Sequence, residues 1–162
     1  KQGLTVKFDN RDTHKPGFKF AEYEMKGVPV RIAIGPKDLE NGSVEIARRD
    51  TLSKETKPMN EVVDYITELM VEIQESIFSK AKKFQESNTH EVDNFEDFKS
   101  KLNETGGFIS AHWDGSPETE ELIKKETKAT IRCIPLNNPR EEGVCVRSGK
   151  PSSQRVIFAK SY

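Results

Sequence analysis

Cysteine is nearly absent from this chain: 162 residues hold two thiols, Cys133 and Cys145. Two thiols cannot build a disulfide framework, and a reducing, cytoplasmic setting is the expectation. Long apolar runs are missing as well. None approaches the roughly 18–20 residues of a membrane-spanning helix, so membrane residence by such a helix is not expected. The opening KQGLTVKFDN has neither a signal-peptide pattern nor an initiator Met, which points to a piece of a longer chain. His14, His90 and His112 share no metal-ligand or triad spacing, and there is no serine nucleophile elbow or Gly-rich phosphate loop. Tryptophan occurs once, and the apolar bulk comes mainly from nine Phe and three Tyr, enough for a modest core.

What the chain has in quantity is charge. A third of its residues are charged and its mean hydropathy is −0.74. The net charge of −1 conceals three blocks. Residues 1–59 carry 12 Lys/Arg against 9 Asp/Glu, residues 60–126 carry 7 against 16, and residues 127–162 carry 7 against 2. A basic front and tail around an acidic middle suit a polyanion on selected faces, although solvated surface explains the same blocks.

Hydrophobic periodicity predicts an alternation of strands and helices. LTVKFD alternates Leu4, Val6 and Phe8 with polar residues and reads as a strand. A short helix follows from Pro16 to Gly27, then the Val/Ile-rich strand VPVRIAIG, a turn at PKDLENG, and a partner strand SVEIARR in a hairpin. A polar stretch around Pro58 precedes one long helix over 60–86, where Val62, Ile66, Leu69, Met70, Ile73, Ile77 and Phe78 repeat at three- and four-residue steps behind an Asn60 cap. ESNTHEVDN reads as a linker and places the domain boundary between 1–86 and 87–162. Beyond it come a helix at Phe95, Phe98 and Leu102, a strand FISAHW, a helix capped by Ser116-Pro117, and strands ATIRCIP and VIFAKSY. The fold class is α/β or α+β: a mixed sheet with flanking helices, followed by a small α+β domain.

Taken together, GFKFAEYEMKGVPVRIAIGPKDLENG and ARRDT resemble the anticodon-binding domain of class II aminoacyl-tRNA synthetases, specifically the prolyl-tRNA synthetase family. AHWDGSPETEELIKKETKATIRCIP and VIFAKSY resemble the C-terminal appendage of that family's archaeal/eukaryote-like type. KGVPVRIAIGPKD alone supports only the class; the AHWDG…RCIP and AKSY segments make the proline assignment specific. The resemblance implies that Phe20, Glu24, Arg31, Lys37 and Asp38 contact the anticodon. Proline anticodons end in two guanines, and reading unstacked bases calls for a stacking ring, carboxylate acceptors and Arg donors. Phe20 would stack, Arg31 would reach guanine O6 and N7, and Glu24 or Asp38 would accept from guanine N1–H and N2–H₂. Lys37 would contact phosphate or a base oxygen. Singly, each residue also fits an ordinary core, ion-pair or turn role; the motif joins them.

The resemblance further implies an enzyme that ligates proline to its tRNA with ATP and Mg, working as a cytoplasmic homodimer, with no DNA or membrane partner. This chain contains none of the class II catalytic signatures and would be inactive alone. It also starts after the family's first strand and helix. A stand-alone tRNA-binding or protein-interaction module descended from this domain is the other reading. The family's C-terminal carboxylate, here on Tyr162, would reach towards the catalytic region. Many relatives hold zinc through four cysteines in this appendage. Here Cys133 and Cys145 keep two of those positions, while Asn138 and Ser148 occupy the others. Closed tetrahedral coordination requires four good ligands, so an eroded, zinc-free site is expected.

Overall fold

Apolar residues at every second position mark two strands in the first half of the chain, and the phase of that alternation decides what each face carries. The computed structural model describes residues 3–160, so the Tyr162 assignment lies outside the described residues. Two units divide the chain, Lys1–Ala81 and Lys82–Tyr162.

In the first unit, helix α1 (Pro16–Met25) begins with proline, whose missing N–H is harmless in a first turn. It stops at Gly27, where φ is +79°, a value most side chains resist. Strand β1 (Val30–Ala33), helix α2 (Pro36–Asn41), strand β2 (Ser43–Arg48) and strand β3 (Lys54–Pro58) follow. The three strands form an antiparallel sheet in the order β1-β2-β3, with Ile32 opposite Ile46 and Val44 opposite Lys57. Val44 and Ile46 point to the face covered by helix α3 (Val62–Ser87), against Ile66, Leu69 and Ile73. Burying each of these aliphatic side chains contributes about 1.5–3 kcal/mol. By alternation, Arg31, Ala33, Glu45 and Ala47 occupy the other face. Helix α1 buries no residue at all, so polar and ring contacts must hold it.

Several expectations fail here, some for want of a strand partner and some through local capping. LTVKFD forms no strand; Val6 and Phe8 are exposed and no described strand pairs with them. PKDLENG is α2 rather than a turn, because Asp38 accepts the Gly35 N–H and closes a first turn. Antiparallel pairing of β1 with β2 holds, but a helix connects them. The polar stretch before Pro58 is β3, paired along β2 despite its lack of apolar pattern. The carbonyl of Glu61 accepts the Tyr65 N–H as α3 starts, leaving Asn60 outside the capping position.

The second unit has a four-stranded sheet. Strand β4 (Thr89–Glu91) runs parallel to β5 (Phe108–His112), where the sequence suggested only linker. Helix α4 (Phe95–Glu104) is capped by the Asn94 side chain, and helix α5 (Pro117–Thr127) by Ser116, as its Ser-Pro start predicted. Strands β6 (Ala129–Cys133) and β9 (Arg155–Lys160) complete the order β4-β5-β9-β6, while β7 (Gly143–Val144) and β8 (Pro151–Ser152) pair as a separate two-stranded sheet. Phe98 and Phe158 meet edge to face at 5.2 Å in a core with Leu102, Ile109, Ile123 and Val156. Among the described residues no helix is long and apolar enough to cross a membrane.

Candidate nucleic-acid interface

Phe20 and Glu24 stand four residues apart on α1 and therefore share one side of that helix. Arg31 on β1 joins both. Its guanidinium lies 3.6 Å from the centre of the Phe20 ring, and its Nη1 lies 3.2 Å from a Glu24 carboxylate oxygen. On the same sheet face, Nη2 is 3.8 Å from Glu45, and Lys54 on β3 reaches Glu45 at 3.3 Å. A cation over a ring contributes about 0.5–2 kcal/mol, whereas an exposed ion pair contributes about 0–1 kcal/mol, so the stack is the stronger bond between α1 and the sheet. Ala33 and Ala47 flank this cluster in the register, leaving the charged side chains room. The Arg31 Nε is buried with no hydrogen-bond partner among the described residues.

Three of the five expected residues thus come together, and the geometry adds Glu45 and Lys54. Alternation in SVEIARR could have signalled Glu45. Lys54 had no signal, because β3 carries no apolar pattern. One face of the Phe20 ring is taken by Arg31, so a stacking base is left the other face or the outer plane of the guanidinium. The Glu24 carboxylate remains more than half exposed and can accept from base donors. Asp38 is engaged differently: its Oδ2 accepts the Gly35 N–H at 2.8 Å and caps α2. Lys37 is exposed. No hydrogen bond or ion pair among the described residues links Lys37 or Asp38 to the Phe20 cluster.

Charged pairs also hold the outer side of α1. Arg11 donates to Asp9 and, at 2.7 Å, to Glu22. Hydrogen bonds from Lys26 and then Arg11 hold the Glu22 carboxyl at about 2 rather than 4.5.

In the second unit the four positions of the expected eroded metal site lie on β6 and in the loops on either side of β7. Cys133 pairs with Ile157 across the sheet, and the Asn138 amide donates to the Arg155 carbonyl at 2.7 Å. Cys145 is buried while Cys133 is exposed. The Ser148 hydroxyl donates to Asp114 at 2.6 Å. A neutral amide and a hydroxyl are poor zinc ligands beside thiolate and imidazole, and no group of three or more His, Cys, Asp or Glu among the described residues is placed to hold an ion. His112-Trp113-Asp114 works as packing plus a turn. His112 is buried with Nδ1 3.1 Å from the Ser152 hydroxyl, and the Trp113 indole donates to the Ser116 carbonyl. Burial would raise the Asp114 carboxyl, but hydrogen bonds from Ser148, the Ser116 N–H, Thr119 and the Ser116 hydroxyl outweigh it and hold the group at about 2.

Known proteins match the chain along its length. Residues 1–69 match the anticodon-binding domain family, and residues 95–162 match the C-terminal domain of prolyl-tRNA synthetase. A proline–tRNA ligase of Flavobacterium psychrophilum is 62% identical over all of this chain and 33% of its own length. That of Christiangramia forsetii is 61% identical over 99% of this chain and 32% of its own, and that of Porphyromonas gingivalis is 57% identical over the same shares. The chain spans about a third of the length of these relatives. It belongs to the prolyl-tRNA synthetase family and carries that family's anticodon-binding and C-terminal domains.

Proposed function

We propose that the first unit reads the anticodon loop of a proline tRNA through Phe20, Glu24, Arg31, Lys37 and Asp38. The observation that carries this reading is the Phe20–Arg31–Glu24 cluster, a flat cation–ring platform beside an exposed carboxylate on the sheet face away from α3. Unstacked bases in a loop are recognised by such a platform together with edge donors and acceptors. Arg31 and Glu24 supply a donor fork and an acceptor suited to guanine. Phosphate contacts position the loop and base contacts specify it. Lys37, exposed at the start of α2, serves the first role.

In this reading the whole protein is a proline–tRNA ligase that attaches proline to its tRNA with ATP and Mg, as a cytoplasmic homodimer, and zinc has no part in it. The Tyr162 carboxylate reaches towards the catalytic region of that protein. Binding of proline tRNA to the chain tests the base-reading assignment. Guanine-to-adenine changes in the last two anticodon bases are expected to abolish preferential binding. Preference that survives those changes overturns the reading, and preference that survives Arg31→Ala removes Arg31 from it.

A further inference from the structure

The consecutive arginines of ARRDT straddle the end of β2: Arg48 is its last residue and Arg49 opens the turn that follows. Arg48 points to the α3 side, and each of its three nitrogens is bonded to a carboxylate. Nε and Nη2 bind the two oxygens of Asp50 at 3.1 and 2.9 Å, and Nη1 binds Glu72 at 2.7 Å. Arg49 faces the Phe20 cluster. Its N–H donates to the Pro29 carbonyl, and its Nε donates to the Glu24 carbonyl at 2.8 Å. That bond leaves the four N–H groups of its two amino nitrogens without a described partner. No carboxylate of a described residue pairs with it, whereas Arg11, Arg31, Arg48, Arg147 and Arg155 are each ion-paired. Asp50, its neighbour in sequence, is already held by Arg48.

We propose that Arg49 is a phosphate-binding residue of the RNA interface, clamping the backbone beside the bases that Glu24 and Arg31 address. Its Nε fixes the guanidinium plane against α1, and the outer fork matches the geometry of a phosphodiester. An exposed, uncompensated cation anchored to the backbone of a base-reading residue is placed to set the loop's position without reading its sequence. This rests on the anticodon reading above.

The test is binding of the chain to proline tRNA and to an unrelated single-stranded RNA across a salt series. Arg49→Gln is expected to weaken both on the order of tenfold at low salt, by equal factors for guanine and adenine anticodons. It is also expected to reduce the slope of log K against log salt by about 0.7, one single-strand phosphate. Arg49→Lys is expected to keep the slope. An unchanged slope in Arg49→Gln, with anticodon preference falling instead, means that Arg49 only holds α1 and overturns the proposal. A urea midpoint for each variant confirms folding. If the unsubstituted chain shows no anticodon preference, the base-reading assignment fails, while the slope on unrelated RNA still decides Arg49.

Discussion

Arg31 stacks its guanidinium 3.6 Å from the centre of the Phe20 ring, tying strand β1 to a helix that buries none of its residues. The contact does two jobs. It holds α1 in place of a hydrophobic seam, and in the proposed reading it shapes the surface offered to a base. Removing either partner therefore disturbs both attachment and recognition.

Phe20→Ala is expected to lower the stability of the first unit by about 1–2 kcal/mol, from the lost stack and lost ring burial. It is also expected to weaken proline tRNA binding by more than Phe20→Leu, which keeps the bulk and removes the ring. Urea unfolding and filter binding on the same preparations separate the two effects.

Glu24→Gln replaces an acceptor pair with one acceptor and one donor. Discrimination for guanine over adenine at the base it reads is expected to fall by about 1–3 kcal/mol, the range of a good edge contact. Unfolding should hardly change, because the Glu24 carboxylate is largely exposed.

The carboxyl of Asp114 is depressed to about 2 in the fold from a usual 3.8. The native state therefore binds its proton later than the unfolded chain does as pH falls. Its stabilising contribution is full above pH 4 and disappears between about pH 4 and 2. Asp114→Asn should lower stability at neutral pH and flatten the acid limb of a stability–pH curve measured by urea unfolding. Retention of the full acid limb in that variant would show that other carboxylates control it.

Gly143 is packed so closely on His112 that a Cβ there would lie 2.2 Å from the imidazole Nε2. The ring is buried and also held by Ser152, so it cannot simply swing away. Gly143→Ala is expected to destabilise the second unit by about 1–3 kcal/mol. Thermal unfolding followed through Trp113, which donates to the nearby Ser116 carbonyl, provides the signal.

Zinc analysis of the purified chain is expected to give well under one ion per molecule, because Asn138 and Ser148 are poor zinc ligands and only two thiols remain. A chain carrying both Asn138→Cys and Ser148→Cys should take up close to one equivalent, with four thiolates available in place of two. Stoichiometric zinc in the unsubstituted chain would overturn this assignment.

The elements legible in the sequence were those with their own pattern. The 3.6-residue repeat of α3, the Val/Ile alternation of β1 and β2, and the Ser116-Pro117 start of α5 each report a local preference. Phe20 and Glu24 could be placed on one helix side by spacing alone, and Arg31 on a strand. Elements made by pairing were not legible. β3 and β4 are polar segments that become strands because β2 and β5 present open ladders to them. LTVKFD has the alternation and remains unpaired, since alternation supplies a face but no partner.

By itself the sequence determined the class of fold, the family, and the residue types proposed for recognition. The tertiary structure decided which of those residues meet. It placed Arg31 on Phe20, brought Glu45 and Lys54 to the same sheet face, set Asp38 to capping, and turned Asn138 and Ser148 into hydrogen-bond donors. The physical reason is range. Periodicity and capping act over a few residues, whereas a cation over a ring or a shared carboxylate depends on strand register and helix placement, which only the packed chain supplies.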